Sequence, residues 1–337
     1  MPSVTLHLVL ADRILERWLD VPQEAPFDPT NPTYVNAFHQ GAIGPDLGYF
    51  PGGHKLLSEL SHMVRSGDLT RSLVRRARTP LERAFSWGWV THVLADMTIH
   101  PLVGRAVGEF VYGNREIFAD GTLHQPAHVQ VETGLDAFYS RLFPALRHRK
   151  MVPVFNKESI GFLQEAYRDV YSLPLGLNVF LSSHLATVRM SVQGLATVGL
   201  LSTALLAKPV SASFSGARWA LQGTLALLKM ALRKDSLLKA FLNPVPPAGW
   251  FVERVGVKVD RFADDFLRYY RTGLSELENH NLDTGEVQKS PPTHPGTLRA
   301  LRALEQAGGS LPPSYQAGSI PGDPPLSLST ASQGAYD

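Results

Sequence analysis

Cysteine is absent from the chain of 337 residues, which excludes disulfide bonds and zinc sites built from thiolates. Any bound zinc must therefore use histidine and carboxylate ligands. Strand signals are also scarce, because alternating β-branched runs bounded by turn dipeptides hardly occur. Helical periodicity dominates instead, and apolar residues make up 44% of the chain. The sequence therefore predicts an all-α fold with a large buried core.

A strong net charge and a secretion signal are missing as well. The 32 basic and 30 acidic residues leave a net charge of +2, so no nucleic-acid partner is indicated. Residues 1–20 lack a basic start, a long apolar core and a small-residue cleavage site. We therefore expect a cytoplasmic protein without a signal peptide.

One long apolar stretch covers residues 185–207. It contains Arg189, and the uncharged part that follows Arg189 is marginal in length for crossing the hydrocarbon of a bilayer. We interpret the stretch as a buried helix or as a helix that lies on a membrane surface. Peripheral membrane association is therefore compatible with the sequence, whereas a membrane span is not expected.

Apolar residues at helical spacing predict a series of helices. They span residues 5–19, 56–65, 69–78, 80–100, 124–142, 158–171, 177–206, 215–233, 250–278 and 297–307. The clearest start is Thr79, because Pro80 and Glu82 follow it in the capping-box pattern with proline at the first helical position. Pro101 disfavours a helical conformation at His100, so we expect this helix to end there.

Segments without periodicity separate the helices. Residues 22–32 and 104–121 are predicted to be irregular or partly ordered connections. The end of the chain is rich in proline, glycine and serine and has few charges, which predicts a disordered tail. We therefore expect a helical domain at residues 1–155, an accessory helical region at 156–307 and the tail at 308–337. The sequence indicates no oligomeric state.

Metal-binding side chains recur at intervals of four in the apolar run WVTHVLADMTIHPL. His92, Asp96 and His100 share one polar stripe of the predicted helix. Side chains four residues apart lie ~6 Å apart at Cβ, so His92 and Asp96 can bind the same cation. Eight residues of helix rise about 12 Å, which places His100 nearer a second ion. The spacing therefore indicates more than one metal ion, if the stripe binds metal at all.

The next helix repeats this spacing in the segment HQPAHVQVETGLDAF. His128 and Glu132 can hold one ion from adjacent turns, and Asp136 can orient a ligand by a hydrogen bond. The alternative interpretation is an ordinary polar face of an amphipathic helix. The other candidate ligands in this half of the chain are His7 on the first helix, Asp46 in a Gly-Pro-Asp turn, and His54, His62 and His124.

Three segments resemble a known family in their order and their motifs. They are FHQGAIGPDLGYF, WGWVTHVLADMTIHPL and HVQVETGLDAF, which follow an N-terminal helix with His7. They resemble the zinc-dependent phospholipase C family, whose fold is shared with S1/P1-type nucleases, over about residues 1–145. The resemblance implies a multi-helix phospholipase C/P1 nuclease-like domain with additional C-terminal helices, and a zinc cluster that hydrolyses a phosphodiester.

The resemblance also implies a set of metal ligands. One zinc ion would be held by Asp46, His62, His92 and Asp96. A second would be held by His100, His128 and Glu132. A third would be held by His7, with Asp96 as a bridging carboxylate. His54 is the alternative to His62. Secreted members use an N-terminal tryptophan on the third zinc, whereas this chain starts with Met1 and Pro2, so two or three zinc ions are expected.

The expected reaction is hydrolysis of a phospholipid or a related small phosphodiester by metal-activated water, with Asp46 as the candidate general base. Two alternatives remain open. A helical scaffold protein would keep a metal for structure alone. An HD-type phosphohydrolase also gathers histidine and aspartate from helices, but the adjacent His-Asp pair that it requires does not occur in this sequence.

Overall fold

The computed structural model describes residues 4–206, 237–289 and 291–310. All regular elements within these ranges are helical, which confirms the predicted all-α fold. The helices are α1 (Val4–Asp20), α2 (Pro32–Ala42), α3 (Lys55–Met63), α4 (Ser66–Arg76), α5 (Pro80–Tyr112), α6 (Gln125–Leu142), α7 (Gly161–Tyr171), α8 (Leu177–Leu206), α9 (Leu237–Phe241), α10 (Gly249–Arg271) and α11 (Pro295–Gln306). Short 3-10 helices occur at Pro22–Glu24, Gly44–Asp46 and Pro144–His148. The helix predicted at 215–233 and nearly all of the predicted tail lie outside the described residues.

Helix α5 shows that the predicted end at Pro101 is wrong, because the helix continues to Tyr112. A proline inside a helix removes one backbone hydrogen bond and costs ~3 kcal/mol or more. The continuation buries Val103 and Val107, and burial of each such side chain contributes about 1.5–3 kcal/mol, which offsets the cost. The irregular connection predicted at 104–121 is therefore helical in its first half.

Helix α2 was missed by sequence reasoning. It begins at Pro32 and is capped by Asn31, whose side chain accepts a hydrogen bond from the backbone N–H of Thr33. These start signals follow a proline-rich stretch that shows no periodicity, so the helix is not evident from the sequence pattern. Helix α10 ends at Arg271, seven residues before its predicted end.

Helices α2 and α5 cross in very close contact through two glycines. A Cβ atom at Gly41 would lie 2.0 Å from the carbonyl oxygen of Phe85, and one at Gly88 would lie 2.0 Å from that of Phe38. Any larger residue at either position would therefore push the helices apart. This crossing holds the turn Gly44–Asp46, which follows α2, against the middle of α5.

The C-terminal helices pack onto the N-terminal ones. Trp18 of α1 meets Phe266 of α10 edge to face, with ring centroids 5.6 Å apart. The segment between α10 and α11 reaches the end of α3, where the backbone N–H of Leu282 donates to the carbonyl oxygen of His62 at 2.8 Å. Residues more than 200 positions apart in the chain therefore meet beside the ligand-bearing helices.

Helix α8 contains the long apolar stretch of the sequence. Phe180, Val188 and Leu195 are buried, as expected for a helix with one face in the core. Among the described residues, no helix has both the length and the hydropathy that crossing a membrane requires.

Candidate metal centre

Five elements bring all of the predicted ligands together in the core. The contributing residues are His7 of α1, Asp46 of the turn Gly44–Asp46, His62 of α3, His92, Asp96 and His100 of α5, and His128 and Glu132 of α6. All of them are buried, and the most exposed retains 8% of its accessible surface. Their ligand atoms form three groups within 4.8 Å, namely His7 with His92 and Asp96, Asp46 with His62 and His92, and His100 with His128 and Glu132.

Asp96 lies at the middle of the centre and contacts four histidines. Its Oδ1 atom is 3.2 Å from Nε2 of His7 and 3.5 Å from Nε2 of His100. Its Oδ2 atom is 3.2 Å from Nε2 of His92 and 3.5 Å from Nε2 of His62. Each carboxylate oxygen therefore faces a different pair of imidazoles, which is the geometry that a bridging carboxylate needs.

His62 and His92 point their Nε2 atoms at each other. Nδ1 of His62 lies 2.8 Å from the carbonyl oxygen of Ser58, and Nδ1 of His92 lies 2.9 Å from that of Ala42. A carbonyl oxygen only accepts, so each Nδ1 must donate, and Nε2 of a neutral ring is left with a lone pair. The two Nε2 atoms are 3.3 Å apart. Two facing lone pairs beside Asp46 and Asp96 require a proton or a cation between them.

The third group has the same character. Nε2 of His100 and Nε2 of His128 each lie 3.2 Å from Oε1 of Glu132. The other carboxylate oxygen of Glu132 is buried and has no hydrogen-bond partner, as is true of both oxygens of Asp46. Buried polar atoms are nearly always satisfied in folded proteins. Imidazole nitrogens and carboxylate oxygens are ligands that zinc uses in proteins. A bound zinc ion would also satisfy the carboxylate oxygens that have no hydrogen-bond partner.

The pKa shifts follow from burial and from these contacts. Burial alone would raise the pKa of Asp96, but His100, His92 and His7 outweigh it and hold this pKa well below its ordinary value. Burial alone would lower the pKa of His100, but Asp96 and Glu132 raise it to about 10. For His7 burial prevails and its pKa is lowered. The carboxylate of Asp96 is therefore ionised in the core, where a cation is the natural counterion.

Other candidate residues lie outside the centre. His54 is exposed at the start of α3, and its backbone N–H donates to Oγ of Ser183 at 3.0 Å. His124 contacts the hydroxyl of Tyr112 at 2.8 Å. The structure thus brings His62 rather than His54 to Asp46, at 3.3 Å.

Asp136 of α6 contacts the start of the helix that carries His7. Its two oxygens accept hydrogen bonds from the backbone N–H groups of Thr5 and Leu6, each at 3.2 Å. Negative charge at a helix N-terminus is stabilising. Asp136 therefore holds the first turn of α1, the helix that carries His7.

A cavity of about 340 Å³ adjoins the centre. Five of its lining residues are predicted ligands, namely Asp46, His62, His100, His128 and Glu132. Sequence reasoning missed the rest of the polar wall, which includes Tyr49, Lys55, Asp283 and Arg299. The last two follow α10 and reach the cavity through contacts over more than 200 residues, for which the sequence contains no local signal.

Comparison with known proteins identifies one similarity. A family model described as zinc dependent phospholipase C matches residues 6–174. The matched segment includes every residue of the three ligand groups, whereas Asp283 and Arg299 lie beyond it. No curated protein and no solved structure matches the chain.

Proposed function

Because the chain belongs to the zinc-dependent phospholipase C family, we propose that it is a zinc-dependent hydrolase that acts on a phospholipid or a related phosphodiester. The ligand groups support the metal, and the family supports the class of substrate. The observation that favours hydrolysis over a structural role is the cavity, which reaches ligands of two groups. Structural zinc sites are closed, whereas catalytic ones keep a position open to substrate.

The proposed ligands divide as follows. Asp46, His62, His92 and Asp96 would hold one zinc ion, His100, His128 and Glu132 a second, and His7 with Asp96 a third. In this division Asp96 would be shared between two of the ions, in keeping with its contacts to four histidines. The carbonyl oxygens of Ser58 and Ala42 fix the rings of His62 and His92 through their Nδ1 atoms, as outer partners of metal-bound histidines do.

Asp46 is the residue of the cavity wall that we assign to proton transfer in the reaction. Bound zinc would supply activation of water and neutralisation of the phosphodiester charge. Asp46 lines the cavity, and its two oxygens have no hydrogen-bond partner, so it can accept the proton of the attacking water as general base. The water oxygen then bonds to phosphorus as the bond to the leaving oxygen breaks, and that oxygen takes up the proton. The products are an alcohol and a phosphomonoester.

Metal content and turnover test this proposal together. We expect two or three zinc ions per chain by elemental analysis, and phosphomonoester release from phospholipid in mixed micelles that stops on chelation. Asp46→Asn should lower turnover by about 10²–10⁴-fold, whereas Asp169→Asn, on the surface of α7, should not. Absence of zinc together with absence of metal-dependent cleavage would overturn the proposal. One tightly held zinc without turnover would support the scaffold alternative.

A cluster of exposed apolar side chains lies beside the cavity. It comprises Phe110, Val111, Tyr112, Ile117, Phe118 and Leu123, each 40–66% exposed. Gly121 and Thr122 of the same segment line the cavity. An adjoining groove is lined by four basic and two acidic side chains, including Arg105 and Arg254. Apolar residues next to excess positive charge suit the surface of an anionic bilayer, and we assign this surface to docking on anionic phospholipid.

Vesicle binding tests the docking surface separately from catalysis. We expect Leu123→Glu and Phe118→Glu to weaken sedimentation with phosphatidylglycerol vesicles by about 10-fold or more. Each change removes apolar area that would enter the bilayer and adds a negative charge that the anionic lipid repels. Leu19→Glu, at a leucine of α1 that is 49% exposed, is the control. Unchanged binding in both loop variants would contradict the assignment.

A further inference from the structure

One face of α3 carries a metal ligand and a pair of opposite charges. Lys55, Glu59 and His62 are spaced by four and three residues, so they share this face. Glu59 retains 4% of its accessible surface. Its Oε1 atom lies 3.2 Å from Nζ of Lys55 and 3.0 Å from Nε of Arg299 on α11. One buried carboxylate therefore holds two cations at the wall of the cavity.

This arrangement leaves positive charge to spare. Two cations share a single carboxylate, and both line the cavity. Arg299 contacts Glu59 through Nε, and within the described residues its two terminal nitrogens are available as donors. A guanidinium with free terminal nitrogens binds the oxygens of phosphate or carboxylate groups in a forked geometry.

The cations are fixed relative to the metal ligands. Oγ1 of Thr297, two residues before Arg299 on α11, donates to the carbonyl oxygen of Met63 at 3.1 Å. The segment before α11 is bonded to His62 through Leu282. The position of Arg299 is therefore set by the same helix end that positions His62.

Distance decides which anionic group these cations can reach. Seven residues of helix separate Lys55 from His62, which corresponds to about 10 Å along the axis. A phosphodiester that reacts at the ligand groups lies near His62, at the opposite end of this face from Lys55. An anionic group elsewhere on the substrate is at a suitable distance.

We propose that Lys55 and Arg299 form a subsite for a second anionic group, a phosphomonoester or a carboxylate, on the head group of the substrate. This inference rests on the proposed function, because it takes the reacting phosphodiester to lie at the ligand groups. The other acid of the cavity wall outside the ligands, Asp283, lies 3.5 Å from Oγ1 of Thr122, on elements separate from α3. Among the described residues, Lys55 and Arg299 form their ion pairs with Glu59 and none with Asp283.

Turnover of matched lipids in neutral detergent micelles tests the subsite. The substrates are phosphatidylinositol 4-phosphate and phosphatidylserine, which carry a second anionic group, and phosphatidylcholine, which does not. We expect Lys55→Gln with Arg299→Gln to lower kcat/KM about 10- to 100-fold on one or both of the first two, mainly through KM. The change on phosphatidylcholine should be below about threefold. The control, Arg75→Gln with Arg78→Gln, loses the same charge from exposed sites and should behave as wild type.

Two results would overturn the subsite. An equal loss on all three lipids would mean that the cations act on the reacting phosphodiester, and no loss on any would mean that they bind nothing. Binding of inositol 1,4-bisphosphate and inositol 1-phosphate to the zinc-loaded protein separates this inference from the hydrolase proposal. If no lipid is cleaved, the hydrolase proposal fails. The subsite still stands if inositol 1,4-bisphosphate binds more tightly than inositol 1-phosphate and if this difference is lost without Lys55 and Arg299. Equal affinities would overturn the subsite.

Discussion

Two clusters in this protein bury histidine beside carboxylate, and they are neutralised in different ways. In the arginine-closed cluster, which consists of Asp12, His39 and Arg149, the guanidinium donates to both oxygens of Asp12 at 2.8 and 2.7 Å. Nε2 of His39 lies 2.8 Å from the same carboxylate. In the metal centre, the ion pairs found for Asp96 within the described residues all involve histidine.

The difference shows what each cluster is built to do. The charges of the arginine-closed cluster are balanced within the protein, and a paired, hydrogen-bonded set of buried charges is stable without a ligand. The metal centre places carboxylates among imidazoles and leaves buried oxygens of Asp46 and Glu132 without partners. Among the described residues, the ion pairs of these carboxylates are all with imidazoles, whose protons a metal ion can replace. Between these two clusters, arginine distinguishes the one whose charges are balanced within the protein from the candidate metal centre.

Replacement of Asp96 should have the largest effect on this comparison. Asp96→Ala removes the carboxylate that four histidines share, so we expect loss of zinc from more than one group and a fall in turnover of at least about 10³-fold. His100→Ala should cost less zinc, because His100 would hold only the ion of the group with His128 and Glu132. Elemental analysis and turnover of both purified variants provide the test. Equal and mild zinc losses in the two variants would contradict a shared carboxylate.

A substitution at the close contact of α2 and α5 should have the second largest effect. Gly88→Ala places a methyl group 2.0 Å from the carbonyl oxygen of Phe38, so the helices must separate. We expect a loss of about 1–3 kcal/mol in the free energy of unfolding, together with weaker zinc binding because Asp46 moves away from His92. Urea unfolding and zinc titration measure the two effects.

The control for this prediction is a glycine in open space. Gly194 of α8 has no atom within 4 Å of the position of a Cβ, so Gly194→Ala should stabilise the helix by about 0.5–1 kcal/mol. If both variants shifted stability in the same direction and by the same amount, the close crossing would have no energetic role.

Arg149→Met should lower the free energy of unfolding without changing metal binding. The change leaves Asp12 and His39 without their cation, and we expect a loss of about 2 kcal/mol, below the range for fully buried pairs because Asp12 and Arg149 are partly accessible. Zinc content should stay at the wild-type value. A variant that lost zinc along with stability would show that the two clusters are coupled.

The candidate ligands that the structure brings together could be predicted from the sequence because their signal is local. His92, Asp96 and His100 are four residues apart on one helix, and His128 and Glu132 repeat that spacing, so helix geometry alone places each set on one face. The grouping of residues from different helices depended on resemblance to a family. Spacing within a helix contains no information about which other helix lies opposite.

The rest could not be predicted because it depends on packing between distant segments. Pro101 was expected to end α5, but burial of the following residues outweighs the cost of an internal proline. Arg299 and Asp283 reach the cavity through the docking of α11 on α3, and no spacing near them indicates a site. Helix α2 owes its position to a glycine contact that is visible only in three dimensions.

The smallest predicted effect concerns acid sensitivity of the arginine-closed cluster. Burial, more than any other cause, lowers the pKa of His39, and Arg149 adds to this although Asp12 opposes it. The unfolded chain therefore binds more protons below its histidine pKa of about 6.5. The stabilisation gained by keeping His39 neutral is complete above that pH. It is lost as the pH falls towards the lowered pKa that His39 has in the folded protein. The pKa of Asp12 is lowered by its hydrogen bonds to His39 and Arg149 against the effect of burial, so its contribution is lost only in stronger acid.

We therefore expect the stability advantage of wild type over His39→Gln to be smaller at pH 5 than at pH 7.5, by about 1 kcal/mol. Urea unfolding of both proteins at the same zinc concentration measures this difference, and the titration of the metal centre cancels because it is common to both. An advantage that grew on acidification would mean that His39 is charged in the folded protein. Asp12 would then pair with two cations, His39 and Arg149. The arginine-closed cluster would differ from the metal centre only in containing an arginine.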